Sequence, residues 1–203
     1  MWTYEKRLQY PVNITKTCPK TASLIISQFG GPDGELAASM RYLSQRYTMP
    51  CKEVSGLLTD IGTEELAHLE IICAIIFQLT KNMKVEDARA AGFDAYYVDH
   101  TAGIWPTAAA GVPFNACEFQ SKGDAITDLF EDLAAEQKAR STYENLIRII
   151  PDPEVREPLK YLRAREVVHF QRFGEALEKL KNDLDAKNFY YYNAEFDKQM
   201  VKK

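Results

Sequence analysis

The sequence predicts an all-α fold, a four-helix bundle with a long connection between its second and third helices. Three observations carry that reading. Four segments place apolar residues at helical spacing along one face. Each runs roughly 25 to 30 residues, or about 40 Å at 1.5 Å per residue. Between the second and third lies residues 81–121, a stretch too long for a turn and punctuated by Gly103, Pro106, Gly111 and Pro113.

The first helical segment spans about Thr21 to Tyr47 and is interrupted by GGPDG at 30–34, which marks either a kink or a boundary between two helices. The second spans about Cys51 to Thr80, with Leu58, Ile61, Glu65, His68, Ile72, Ile75 and Leu79 in line. The third spans about Asp124 to Ile150, with Leu129, Leu133, Glu136, Arg140, Tyr143, Ile147 and Ile150 on one face. PDP at 151–153 ends it and opens the fourth, about Glu154 to Lys181, whose stripe is Leu159, Leu162, Glu166, His169, Phe173, Leu177 and Leu180. The connection, which includes YYVDHTAGIWPTAAAGVPFN, reads as irregular rather than helical. An N-terminal arm (about 1–20) precedes the bundle (about 21–182). A tail (about 183–203) containing the aromatic stretch NFYYYNAEF follows it. The reading is one domain over 1–203.

Composition excludes several classes. Hydrophobic residues make up 46% and charged residues 27%, as in ordinary globular proteins. A net charge of −4 gives no basic footprint for nucleic acid or an anionic membrane. The longest apolar run, IICAIIF at 71–77, falls short of spanning length. The opening MWTYEKRLQYPVNI has no apolar core or cleavage site, so no secretory signal is expected. Cys18, Cys51, Cys73 and Cys117 are scattered without a Cys-x-x-Cys, which disfavours zinc ribbons and dithiol redox motifs and leaves reduced thiols as the expectation.

The decisive stretch is EELAHLE at 64–70. Glu65 and His68 sit three apart inside an apolar stripe, and REVVHF at 165–170 repeats the pair as Glu166 and His169. Shifting Glu35, Glu65 and His68 by 101 positions gives Glu136, Glu166 and His169. The chain thus carries Glu-x29-Glu-x2-His twice, once per helix pair. Positions i and i+3 share a helix face, so one cation can meet both side chains. A Glu from each of two helices and a Glu-x-x-His from each of the other two is the ligand pattern of dinuclear carboxylate bundles. Each unpaired buried carboxylate costs several kcal/mol, which two divalent cations would offset. Oxygen-rich ligation with one imidazole per ion suits manganese or iron. His100, beside Asp99, is the remaining histidine and reads as a loop or channel residue.

These residues resemble a known family. GGPDGELAASMRYLSQRY (30–47) and LLTDIGTEELAHLEII (57–72) are similar to the first two ligand helices of the dimanganese catalases, and GVPFN (111–115) and DPEVREPLKYLRAREVVHFQRF (152–173) also resemble that family. YEKRLQYPVNI resembles its shorter spore-coat branch, the CotJC type. The resemblance implies a ferritin-like bundle with two manganese ions. It implies Glu35, Glu65 and His68 as ligands on one side, Glu136 and His169 on the other, and Glu65 bridging. It makes Glu166 an acid–base carboxylate, and Tyr42 a tyrosine beside the ligands. It further implies disproportionation of hydrogen peroxide, a homo-oligomer (a hexamer), synthesis in the cytoplasm, deposition in the spore coat and contact with other coat proteins. Two departures stand out. Ala135 occupies the position where some members carry a basic residue, with Arg140 a turn later, and the chain is shorter than many full catalases. The alternatives are a structural coat protein that retains a metal site and a di-iron ferritin-like oxidase.

Overall fold

A computed structural model describes residues 3–5 and 7–183; the aromatic stretch NFYYYNAEF lies outside the described residues. Eight α-helices are described: α1 (Pro19–Ile25), α2 (Ser27–Gly30), α3 (Glu35–Gln45), α4 (Lys52–Thr80), α5 (Val85–Ala90), α6 (Asp94–His100), α7 (Ala125–Ile149) and α8 (Pro153–Asp183). No strand is formed among the described residues, apart from an isolated bridge between Thr107 and Pro113. α3 and α4 pack as one hairpin and α7 and α8 as another, with α4 against α8 and α3 against α7 joining the two. This is the four-helix bundle that the periodicity predicts.

GGPDG is a boundary rather than a kink. Gly31 and Gly34 are extended, so helix stops at Gly30 and restarts at Glu35. Gly30 also lies under the connection: a Cβ there would stand 2.2 Å from Thr107 N and 2.3 Å from Pro106 C. Only a residue without a side chain lets the two backbones approach so closely.

The connection is less irregular than its composition suggests. Its first part forms α5 and α6. Asp87 accepts a hydrogen bond from Lys84 N at 3.2 Å and so caps α5, which ends ahead of Gly92 at φ 68°. Residues 101–115 are the irregular part. The far end is pinned from inside. Arg41, fully buried on α3, donates to Phe119 O at 2.7 Å and to Glu118 O at 3.1 Å. Asp128 accepts from Lys122 N and Gly123 N, and the Asp124 side chain caps α7 through Thr127 N at 2.8 Å.

The N-terminal arm runs along α4. Ile14 N donates to Gln78 Oε1 at 2.6 Å, Gln78 Nε2 donates to Val12 O at 2.8 Å, and Cys18 N donates to Leu79 O at 2.8 Å.

The core divides into two apolar clusters. One contains Ile71, Ile72, Ile75, Ile76, Leu79, Tyr143, Val155, Leu159 and Leu162. The other contains Tyr42, Leu58, Ile61, Ile126, Leu129, Phe173, Leu177 and Leu180. Along α4, Glu65 and His68 fall between Ile61 and Ile71; along α8, Glu166 and His169 fall between Leu162 and Phe173. A charged belt therefore crosses the bundle between two apolar blocks. All four cysteines are free, and burial pushes the half-buried Cys73 thiol up to about 11. No helix among the described residues is long and apolar enough to cross a membrane.

Candidate metal centre

Each bundle helix delivers its motif residue to one place. Glu35 is the first residue of α3, Glu65 and His68 lie mid-way along α4, Glu136 lies on α7, and Glu166 and His169 lie on α8. A carboxylate in the first turn of α3 also suits the positive end of that helix. All six side chains are buried.

Glu65 is at the centre. Its Oε2 lies 2.7 Å from His68 Nδ1 and its Oε1 lies 2.8 Å from His169 Nδ1. Outside it stand Glu35, with Oε2 3.6 Å from His68 Nδ1, and Glu136, with Oε2 3.5 Å from His169 Nδ1. Glu166 is more remote, with Oε1 4.0 Å from His68 Nδ1. The two imidazoles stack at 5.5 Å with 20° between their planes. One donor atom each from Glu65, His68, Glu166 and His169 falls within 4.8 Å of the others.

The donors are poorly satisfied by one another. Glu65 Oε1, Glu136 Oε2, Glu166 Oε1 and His169 Nδ1 are buried with no hydrogen-bond partner. Although Glu65 Oε1 and His169 Nδ1 are only 2.8 Å apart, they are not aligned as donor and acceptor. Buried polar atoms without partners are rare, and four converging on one centre fit a cation held among them.

Electrostatics lead to the same conclusion. Burial, followed by the charge of Glu65, pushes Glu35 up to about 7. Burial, then the charges of Glu136, Glu35 and Glu65, holds Glu166 well above the carboxylate range. Burial is also the main cause that raises Glu136. Burial opposes ionisation of Glu65 too, but His169 and His68 overcome it and hold Glu65 low. Burial likewise opposes charge on the imidazoles, and the surrounding carboxylates, Glu65 foremost, raise both well above their ordinary range. Four carboxyl groups around two imidazoles are short of positive charge, and divalent cations would supply it.

Tyr42 lies against the cluster and donates to Glu136 Oε1. It has a mate on the inward stripe of α7. Tyr143 donates to Glu35 Oε1. Tyr42 shifted by 101 positions is Tyr143, so the repeat was longer than the motif taken from it.

A second group was also passed over. Glu64 sits behind the imidazoles. Its Oε2 is 3.1 Å from His169 Nε2, and its Oε1 is 3.6 Å from His68 Nε2. Arg165 grips both oxygens, through Nε at 2.8 Å and Nη2 at 3.1 Å, and Gln9 of the arm donates to Oε1 at 2.8 Å. Burial would raise this carboxyl, but His169, His68 and Arg165 hold it far below the usual range. Glu64 and Arg165 are themselves 101 apart, and opposite charges at equivalent repeat positions were the available signal.

Two other residues remain apart from the cluster. Arg140 pairs with Gln137 and Glu144 of its own helix, each at 2.8 Å, so it does not stand in for the basic residue that Ala135 replaces. His100 ends α6 and stacks on Trp105 at 4.9 Å and 11°.

With this geometry in hand, comparison with known proteins is specific. The family described as manganese containing catalase matches residues 1–203. The chain is 54% identical over 190 residues to Protein CotJC of Bacillus subtilis, covering 94% of this chain and 100% of that protein. Among solved structures, wild-type KatB, a manganese catalase from Anabaena, superposes with a TM-score of 0.82 at 34% identity, over 89% of this chain and 81% of that one. A dodecameric thioferritin from Bacteroides fragilis superposes at 0.52 and 14% identity over 90% and 89% of the two chains, which relates the fold alone to ferritin-like bundles.

Proposed function

The chain belongs to the manganese catalase family, and from that premise we propose that it disproportionates hydrogen peroxide, two molecules giving two of water and one of dioxygen, at a pair of manganese ions. The observation that carries the proposal is the convergence of buried, unpartnered donor atoms from α4, α7 and α8, beside Glu35 of α3, which Tyr143 holds. Glu35 and His68 would hold one ion, Glu136 and His169 the other, and Glu65 would join both, since its two oxygens already face the two Nδ1 atoms.

Manganese, when bound, would supply the two-electron exchange with peroxide. The chain's own residues do the rest. Glu166 stands beside the cluster, 4.0 Å from His68 Nδ1, and burial and the neighbouring carboxylates raise its carboxyl above the ordinary range. It can give a proton to a leaving hydroxide and take one from the next peroxide. Glu64, gripped by Arg165, meets His169 Nε2 at 3.1 Å and so supports that imidazole from behind with its Nδ1 facing inward. The apolar blocks on either side limit water and favour a substrate as small as peroxide.

The family resemblance favours a homo-oligomer, a hexamer. The match to CotJC supports a place in the spore coat, among other coat proteins. It equally favours a second reading, a coat component whose bundle keeps the metal for stability. Oxygen release separates the two: manganese-loaded protein should evolve dioxygen from peroxide. A fully loaded sample that releases none leaves the structural reading. Metal analysis of protein from cells supplied with both manganese and iron tests the metal; predominance of iron would favour a di-iron oxidase.

A further inference from the structure

Two tyrosines are tied to the centre in a crossed arrangement. Tyr42 on α3 donates to Glu136 on α7, and Tyr143 on α7 donates to Glu35 on α3. Each tyrosine lies seven residues after the Glu of its own helix, which is two turns along the same face, and each reaches the Glu of the other hairpin. Both side chains are fully buried, Tyr143 in one apolar block and Tyr42 in the other. A buried phenol needs an acceptor. Each takes Oε1 of a motif carboxylate and leaves Oε2 toward an imidazole Nδ1, at 3.6 Å for Glu35 and 3.5 Å for Glu136.

We propose that Tyr143 is a positioning residue that commits one oxygen of Glu35 and thereby presents this carboxylate to the metal pair through the other oxygen alone, as Tyr42 does for Glu136. The proposal rests on the metal-centre reading above. It assigns each tyrosine to one ion: Tyr143 to the ion beside His68, and Tyr42 to the ion beside His169. A carboxylate freed from its phenol could rotate or bind through both oxygens, which would weaken its ion and alter the coupling between the two. The crossing also ties the two hairpins together at the level of the site, beside the packing of α4 on α8 and α3 on α7.

The test is Tyr143→Phe in the full chain, which keeps the buried ring and removes only the hydroxyl, with Tyr42→Phe as its mirror and the exposed Tyr47→Phe as baseline. Mn(II) binding is followed by titration and by electron paramagnetic resonance. Wild type and Tyr47→Phe should bind two ions and give the spectrum of a coupled pair. Tyr143→Phe should remain folded by circular dichroism and lose about tenfold to a hundredfold in affinity at one of two steps. At two equivalents it should show the six-line signal of an isolated ion. Tyr42→Phe should do likewise, and the double variant should weaken both steps. If Tyr143→Phe binds both ions within twofold of wild type with an unchanged coupled spectrum, Tyr143 is only a core residue and the proposal fails alone. If wild type binds no pair, the metal reading fails with it. Should Tyr143→Phe unfold, the intact Tyr42→Phe decides: no change at either step would overturn the crossed scheme.

Discussion

Replacing Glu64 by Gln perturbs the site from behind without touching a motif residue. The change is almost isosteric, and its effect can be worked from four contacts. Oε1 accepts from Arg165 Nε at 2.8 Å and from Gln9 Nε2 at 2.8 Å; Oε2 accepts from Arg165 Nη2 at 3.1 Å and lies 3.1 Å from His169 Nε2. Donors thus face both oxygens. Whichever way the new amide turns, its NH2 meets donors, and at least one bond to the guanidinium is lost. A hydrogen bond to a charged group is worth about 1.5–3 kcal/mol, and a neutral one about 1 kcal/mol. The side chains of Glu64 and Arg165 are 19% and 30% exposed, so solvent screens part of this. The expected loss is about 2–3 kcal/mol, or roughly 4–12 °C in Tm at about 2–4 °C per kcal/mol. His169 also loses the carboxylate behind its Nε2, so metal affinity should fall about tenfold to a hundredfold. Thermal unfolding of the metal-loaded protein and competition with a chelator measure the two effects. Glu175→Gln, in an exposed pair with Arg172, is the control and should shift stability by no more than about 0.5 kcal/mol. Glu64→Gln protein that melts within 2 °C of wild type, to take about half the smallest effect implied, and that releases metal at the same rate would refute the role given to Glu64.

Two further outcomes follow from features outside the motif. Asp132 is buried with both oxygens unpartnered; burial raises its carboxyl well above the usual range, aided by Glu136 and Asp128 and opposed by Gln45 and Arg41. Its folded form keeps the proton after the unfolded form has lost it, so stability falls as pH rises above about 4. Asp132→Asn should therefore stabilise the protein at pH 7, with the gain vanishing near pH 3; denaturant midpoints across that range would show it, and a destabilised variant at pH 7 would contradict it. At Gly30, an added Cβ would strike the backbone of Pro106 and Thr107. Gly30→Ala should cost about 1–3 kcal/mol and loosen the connection, read as a lower Tm and faster proteolysis within residues 101–115.

The fold was legible because the stripes of the second, third and fourth segments each run far longer than a strand could, whereas the first segment is divided into α1, α2 and α3. On α4 and α8, the residues expected to face inward are all buried. The six motif residues were legible for the same reason: carboxylates and imidazoles on a buried stripe stand out against their neighbours. Tyr143 was missed because a tyrosine on such a stripe looks like ordinary core, and only its crossed bond to Glu35 distinguishes it. Glu64 and Arg165 were missed because they lie one residue off the stripe, where a charged side chain normally meets water. The helices at 85–100 escaped because each spans barely two turns, too short for a period to emerge from a stretch otherwise rich in Gly and Pro.

The central claim is that Glu35, Glu65, His68, Glu136 and His169 hold two manganese ions with Glu166 beside them. Anomalous diffraction from crystals of protein produced with ordinary metal supply, recorded on both sides of the manganese absorption edge, tests it most directly. Two peaks among these side chains that appear above the edge and vanish below it are the predicted result. Difference maps without such a pair, or with peaks unchanged across the edge, would contradict it.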